Sequence, residues 1–60
     1  MSDEGYIIEY RKVGNSVKVS AIDTASMTEV SVIAPPRMSR KNMANLAIKK
    51  LLYVMGKAKR

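Results

Sequence analysis

Tyr6-Ile7-Ile8-Glu9-Tyr10-Arg11-Lys12, then Val13-Gly14-Asn15-Ser16, then Val17-Lys18-Val19-Ser20-Ala21-Ile22: two alternating runs meet at a glycine–asparagine pair. Alternation with period two is the pattern of a strand whose faces see different surroundings. Glycine and asparagine both tolerate positive φ, which a two-residue hairpin turn demands. Centring the turn on Gly14-Asn15 sets Val13 opposite Ser16, Tyr10 opposite Val19 and Ile8 opposite Ala21. A third run, Thr28 to Ile33, follows the loop Thr24-Ala25-Ser26-Met27. If Asp23 pairs with Thr28, Ala21 meets Val30 and Val19 meets Val32.

That register sorts the side chains. One face collects Tyr6, Ile8, Tyr10, Val17, Val19, Ala21, Val30, Val32 and Ala34. The other collects Ile7, Glu9, Arg11, Lys18, Ser20, Ile22, Glu29, Ser31 and Ile33. A slip of one residue in either hairpin would mix the two sets, so the register is strongly specified. The apolar face is the expected core.

Pro35-Pro36 ends the third strand, because proline donates no ladder hydrogen bond and restricts the residue before it. Ser39 is the expected N-cap of a helix from Arg40 to about Met55, with Gly56 placed to stop it. At roughly 100° per residue, the apolar residues from Met43 to Met55 sweep more than half of the helix circumference. The polar stripe is narrow (Asn42, Asn45, Lys49), Tyr53 borders it, and Lys50 interrupts the apolar arc near Met43. A three-stranded sheet covers one side of a helix, so the remainder is expected to pack against a second copy. Leu46, Ile48, Leu52 and Met55, with Ile33, are the candidate dimer interface, and Pro35-Pro36 is a natural hinge for helix exchange between subunits.

The fold class is therefore α+β: a three-stranded antiparallel β-meander followed by one C-terminal α-helix (β-β-β-α), dimeric. Residues 1–60 form a single domain, with 1–5 a disordered N-terminus, 6–34 the meander, 39–56 the helix and 57–60 a basic tail. Sixty residues bury only roughly 60% of the surface of the unfolded chain, and such domains commonly add disulfides, a metal or a second subunit. The chain has no cysteine and no histidine, which removes disulfides and the preferred zinc and copper ligands. Oligomerisation is the device left; no metal or cofactor is expected. No run approaches the roughly 18 to 20 apolar residues of a membrane span. The acidic start Met1-Ser2-Asp3-Glu4-Gly5 is unlike a secretory signal, so a cytoplasmic protein without a membrane role is expected.

The stretch Val17-Lys18-Val19-Ser20-Ala21-Ile22-Asp23, with Thr28-Glu29-Val30-Ser31-Val32, resembles the core of a small alphaproteobacterial family of unknown function. Its members look like "VKVTAIDP-x-TG-x-EVSIVGP" followed by a helix close to "LA-x-x-KL-x-YVL". The second part stands here as Leu46-Ala47-Ile48-Lys49-Lys50-Leu51-Leu52-Tyr53-Val54-Met55. The likeness runs from about Glu9 to Met55. Thr24 takes the place of the family's proline, and Met27 that of its glycine. The resemblance implies a compact β-plus-helix homodimer with no assigned activity.

Chemistry is sparse. Without histidine or cysteine, the usual general base and the best nucleophile are missing. Glu9 and Glu29 share a sheet face but stand in offset rows, and Asp23 is expected to accept hydrogen bonds within its own turn. No catalytic residue is nominated, and the chain is read as not an enzyme. Gly5, Gly14 and Gly56 are isolated and form no phosphate loop.

The net charge of +6 conceals an asymmetry. Met1 to Pro36 carries five acids and three bases; Arg37 to Arg60 carries eight bases and no acid. Arg37, Arg40, Lys41, Lys49, Lys57, Lys59 and Arg60 are thus candidate nucleic-acid contacts of a weak, sequence-tolerant binder. Base-reading side chains are few, however, and the cations are spread around the helix, so a solvated face is the plainer reading. A small homodimeric structural or protein-interaction module, its partner unspecified, is the leading expectation. Weak nucleic-acid binding is the alternative.

Overall fold

The computed structural model describes residues 5–56. The expected tail residues Lys57, Lys59 and Arg60, and residues 1–4, lie outside the described residues. Three strands, β1 (Tyr6–Val13), β2 (Ser16–Asp23) and β3 (Thr28–Ala34), precede one helix, α1 (Arg40–Val54). The strands form one antiparallel sheet in the order β1-β2-β3.

The pairing is the one the alternation requires. Val13 pairs with Ser16, Tyr10 with Val19 and Ile8 with Ala21. Across the second hairpin Asp23 pairs with Thr28, Ala21 with Val30 and Val19 with Val32. Gly14 takes a φ of +59°, whereas Asn15 is not in the positive-φ region. Only the glycine uses the left-handed freedom, the arrangement of a II′ turn with glycine first.

Thr24 extends the first hairpin by one rung. Its backbone N–H and its hydroxyl both donate to the Gly5 carbonyl, at 2.8 and 3.0 Å. Gly5 is therefore tied to the sheet and does not belong to the loose N-terminal segment 1–5 expected from its polarity. The second turn is closed by Met27 N–H donating to the Asp23 carbonyl at 2.7 Å. The Asp23 carboxylate accepts from the Ser26 N–H (3.0 Å) and the Ser26 hydroxyl (2.8 Å), as an aspartate at a turn is suited to do. Met27 sits at φ 59°, the sole non-glycine with positive φ among the described residues.

Pro35 to Met38 forms the connection, with the Met38 N–H donating to the Pro35 carbonyl at 3.1 Å. Ser39 then caps the helix: its backbone is extended and its hydroxyl accepts from the Asn42 N–H at 3.1 Å. At the other end Gly56, at φ +77°, donates to the Tyr53 carbonyl at 3.1 Å and turns the chain out of the helix.

The helix lies over β2 and β3. Met43, Ala47 and Leu51, spaced by four, make one line of its surface and pack on Val19, Ala21, Val30 and Ala34. Leu51, Ala47, Val19 and Ala21 are fully inaccessible. Tyr6, Ile8, Tyr10, Val17 and Val32 are partly buried around this centre, together with Met38 and Met55. All nine residues of the expected core face thus join the core or border it. No helix of the described residues is long and apolar enough to cross a membrane.

Candidate functional site

Two surfaces beside the helix are left once the core is closed. The first is a basic end, where the far ends of β1 and the start of α1 meet. Lys12 pairs with Val17, and Val17 with Ala34, so the end of β1 stands level with the chain just before Pro35-Pro36. The helix starts there. Tyr10, Arg11, Lys12, Val17, Pro36, Met38, Arg40 and Met43 line an open hollow of about 370 Å³. Three of these are cations and none is an acid.

Tyr10 fixes the geometry of this end. Its hydroxyl donates to the Arg40 backbone carbonyl at 3.2 Å. The Arg40 guanidinium carbon stands 4.9 Å from the centre of the Tyr10 ring, within cation–π range. Arg40 is therefore held by its main chain and by its head group at once. Arg37 and Lys41 flank the hollow in sequence and are both exposed.

The second surface is apolar. Leu46, Tyr53 and Val54 are 40, 75 and 54% exposed. Counting roughly 100° per residue, they occupy one flank of the helix within an arc of about 100°. Lys50 lies on the same flank and donates from Nζ to the Ser31 carbonyl of edge strand β3 at 3.1 Å. The lysine that interrupts the apolar arc thus serves the sheet edge.

The expected dimer residues do not form one patch. Ile48, Leu52 and Met55 are half-buried on the flank opposite Leu46, some 120–180° away around the helix. Ile33 is exposed, at 62%, on the sheet face that points away from the helix. The reason is directional. The sheet covers the line Met43–Ala47–Leu51 and splits the leftover apolar arc into two unequal flanks. The basic candidates separate likewise. Arg37, Arg40 and Lys41 gather at the helix start, while Lys49 lies exposed farther along the helix, beside Asn42, Asn45 and Leu46.

Sequence reasoning missed Tyr10, Arg11 and Lys12 as members of the basic end, and Tyr53 and Val54 as members of the exposed flank. The signal for the first was present in the register, since Lys12, Val17 and Ala34 share a row. The second needed the helix orientation.

The outer sheet face holds a polar hollow of about 550 Å³, lined by Glu9, Arg11, Lys18, Ser20 and Glu29, with Tyr10 at its edge. Glu9 pairs with Ser20, and Glu29 with Ile22, so the two carboxylates stand in different rows as expected. Among the described residues no group of three or more acids converges on a metal position, and no buried side-chain polar atom lacks a partner.

With this geometry in hand, comparison with known proteins adds one result. A family described as a domain of unknown function (DUF6898) matches residues 3–59. The chain belongs to this family. No curated protein and no solved structure matches it. Membership in the family covers the meander, both turns, the helix and the basic end together, and it assigns no activity to any of them.

Proposed function

We propose that the domain is a non-catalytic homodimeric interaction module of the bacterial cytoplasm. One observation carries the reading: Leu46, Tyr53 and Val54 leave an apolar flank of α1 open beside edge strand β3. Among the described residues the buried apolar core is seven residues, three of them alanine. A core of this size stabilises a 60-residue chain only modestly. A second copy laid on the flank supplies the missing burial, with the same patch meeting itself across a two-fold axis. This replaces the five-residue interface expected from the helical wheel with Leu46, Tyr53 and Val54. The absence of histidine and cysteine supports the non-catalytic part of the proposal. The motif likeness to alphaproteobacterial sequences supports the bacterial part.

Sedimentation of the wild-type chain and of a Leu46→Glu/Val54→Glu double variant tests the proposal. Both substituted residues are exposed in the single chain, so the variant keeps its circular-dichroism spectrum while losing the dimer. A wild-type chain that remains monomeric at micromolar concentration, or a double variant that still dimerises, overturns it.

A further inference from the structure

The hollow at the Tyr10–Arg40 end has the chemistry of a phosphate contact, and we propose that it binds the backbone of single-stranded nucleic acid. Lys12 arrives from β1 and Arg40 from α1, and no acid lines the space. Arg11 stands at the sheet edge between this hollow and the outer-face hollow that holds Glu9 and Glu29. The described acids are placed elsewhere. Glu9 and Glu29 line the outer sheet face, and Asp23 is bonded to Ser26 in the second turn.

Arg40 is prepared for an anion. The guanidinium carbon stands 4.9 Å from the centre of the Tyr10 ring, and a guanidinium placed there carries N–H groups that match a phosphate in geometry. Because the head is already positioned, little rotamer entropy remains to be lost on binding. The cations of the helix start do not serve the helix. Its first turn contains no acid, and positive charge there opposes the helix dipole.

The occupant follows from shape and extent. Val17, Pro36, Met38 and Met43 give the hollow apolar walls, against which an unstacked base or a sugar can rest. A duplex keeps its bases stacked inside and makes poor use of such walls. Exposed Arg37 and Lys41 carry the positive field past the rim, farther than one small anion reaches. The Tyr10 ring is occupied by Arg40, so it offers no free platform for base stacking and the contact is sequence-tolerant.

The test is fluorescence anisotropy with a labelled single-stranded RNA of about ten nucleotides and a duplex of equal length. Three neutralised phosphates give a single-strand salt slope of about −2, so affinity falls roughly 20-fold between about 50 and 200 mM salt. Arg11→Gln/Lys12→Gln reduces the slope to about −0.7, the value for one remaining contact. Arg40→Gln weakens binding, while Lys49→Gln, outside the hollow, leaves it unchanged. Circular dichroism confirms that each variant is folded, and sedimentation confirms that its oligomeric state is that of the wild type. Loss of RNA binding with the dimer intact therefore speaks to this site alone. The proposal is overturned by absence of binding at low salt, by equal or tighter duplex binding, by saturation of the site with inorganic phosphate, or by a Lys49→Gln effect as large as that of Arg40→Gln.

Discussion

Met27→Gly should stabilise this domain. Met27 holds φ at 59°, in the left-handed region where a Cβ crowds the following carbonyl. That conformation costs an L-residue roughly 1–2 kcal/mol. The side chain returns little, since it is 74% exposed. Glycine removes the crowding, and its greater freedom in the unfolded chain takes back about 0.5–1 kcal/mol. The net gain is then about 0–1.5 kcal/mol, centred at roughly 0.75 kcal/mol. The Met27 N–H still donates to the Asp23 carbonyl at 2.7 Å, because the backbone need not move. In a domain of this size 1 kcal/mol corresponds to roughly 4–8 °C in Tm, so at the central value the variant should melt about 3–6 °C higher. Thermal and urea unfolding followed by circular dichroism measure it, with Met27→Ala as the control. Alanine keeps the strain and removes only an exposed side chain, so it should unfold close to the wild type. A glycine variant no more stable than the alanine variant would refute the reasoning, because the left-handed conformation would then carry no cost here.

Two further substitutions address the core and the cap. Leu51 is fully inaccessible at the centre of the helix–sheet contact, so Leu51→Ala should cost about 2–5 kcal/mol and Leu51→Asp, which buries an unpaired charge, should abolish folding; a cooperative melt for Leu51→Asp would show that another helix face is buried. Ser39→Ala removes the acceptor of the Asn42 N–H and should lower stability by about 1 kcal/mol in urea titration, with no change in oligomeric state.

The sheet was legible because its information is local and redundant. Gly14 marks the first turn, period two marks the faces, and a shift of one residue would have put Glu9 and Lys18 into the core. The helix start was legible for a similar reason, as Ser39 follows Pro35-Pro36 and precedes the apolar repeat. The apolar flank was not. A helical wheel gives the angle of each residue but not the angle from which the sheet approaches, and that direction decides whether Leu46 or Ile48 is left open. The Tyr10–Arg40 contact was hidden by sequence distance, since thirty residues separate the partners. The lysine in the apolar arc, an apparent flaw at position 50, made sense only once the Ser31 carbonyl stood beside it.

Two places among the described residues break a local rule, and they differ in how the break is offset. At Met27 the strained backbone sits inside a closed network: the Asp23 carboxylate holds Ser26, and the Ser26 and Thr28 hydroxyls share a hydrogen bond of 2.7 Å. The offset is internal, so the strain is explained as part of a tight turn. At the helix start Arg37, Arg40 and Lys41 oppose the dipole, each by typically 0.3–1 kcal/mol where it lies within the first turn. Tyr10 offsets this for Arg40 alone, and no acid stands in the first turn to offset the others. In a domain whose margin of stability is small, an unfavourable arrangement without internal compensation is characteristic of a functional site. On the phosphate-contact proposal the compensation comes from an anion that meets these cations from solvent, and the basic end is where a search for a ligand of this domain should begin.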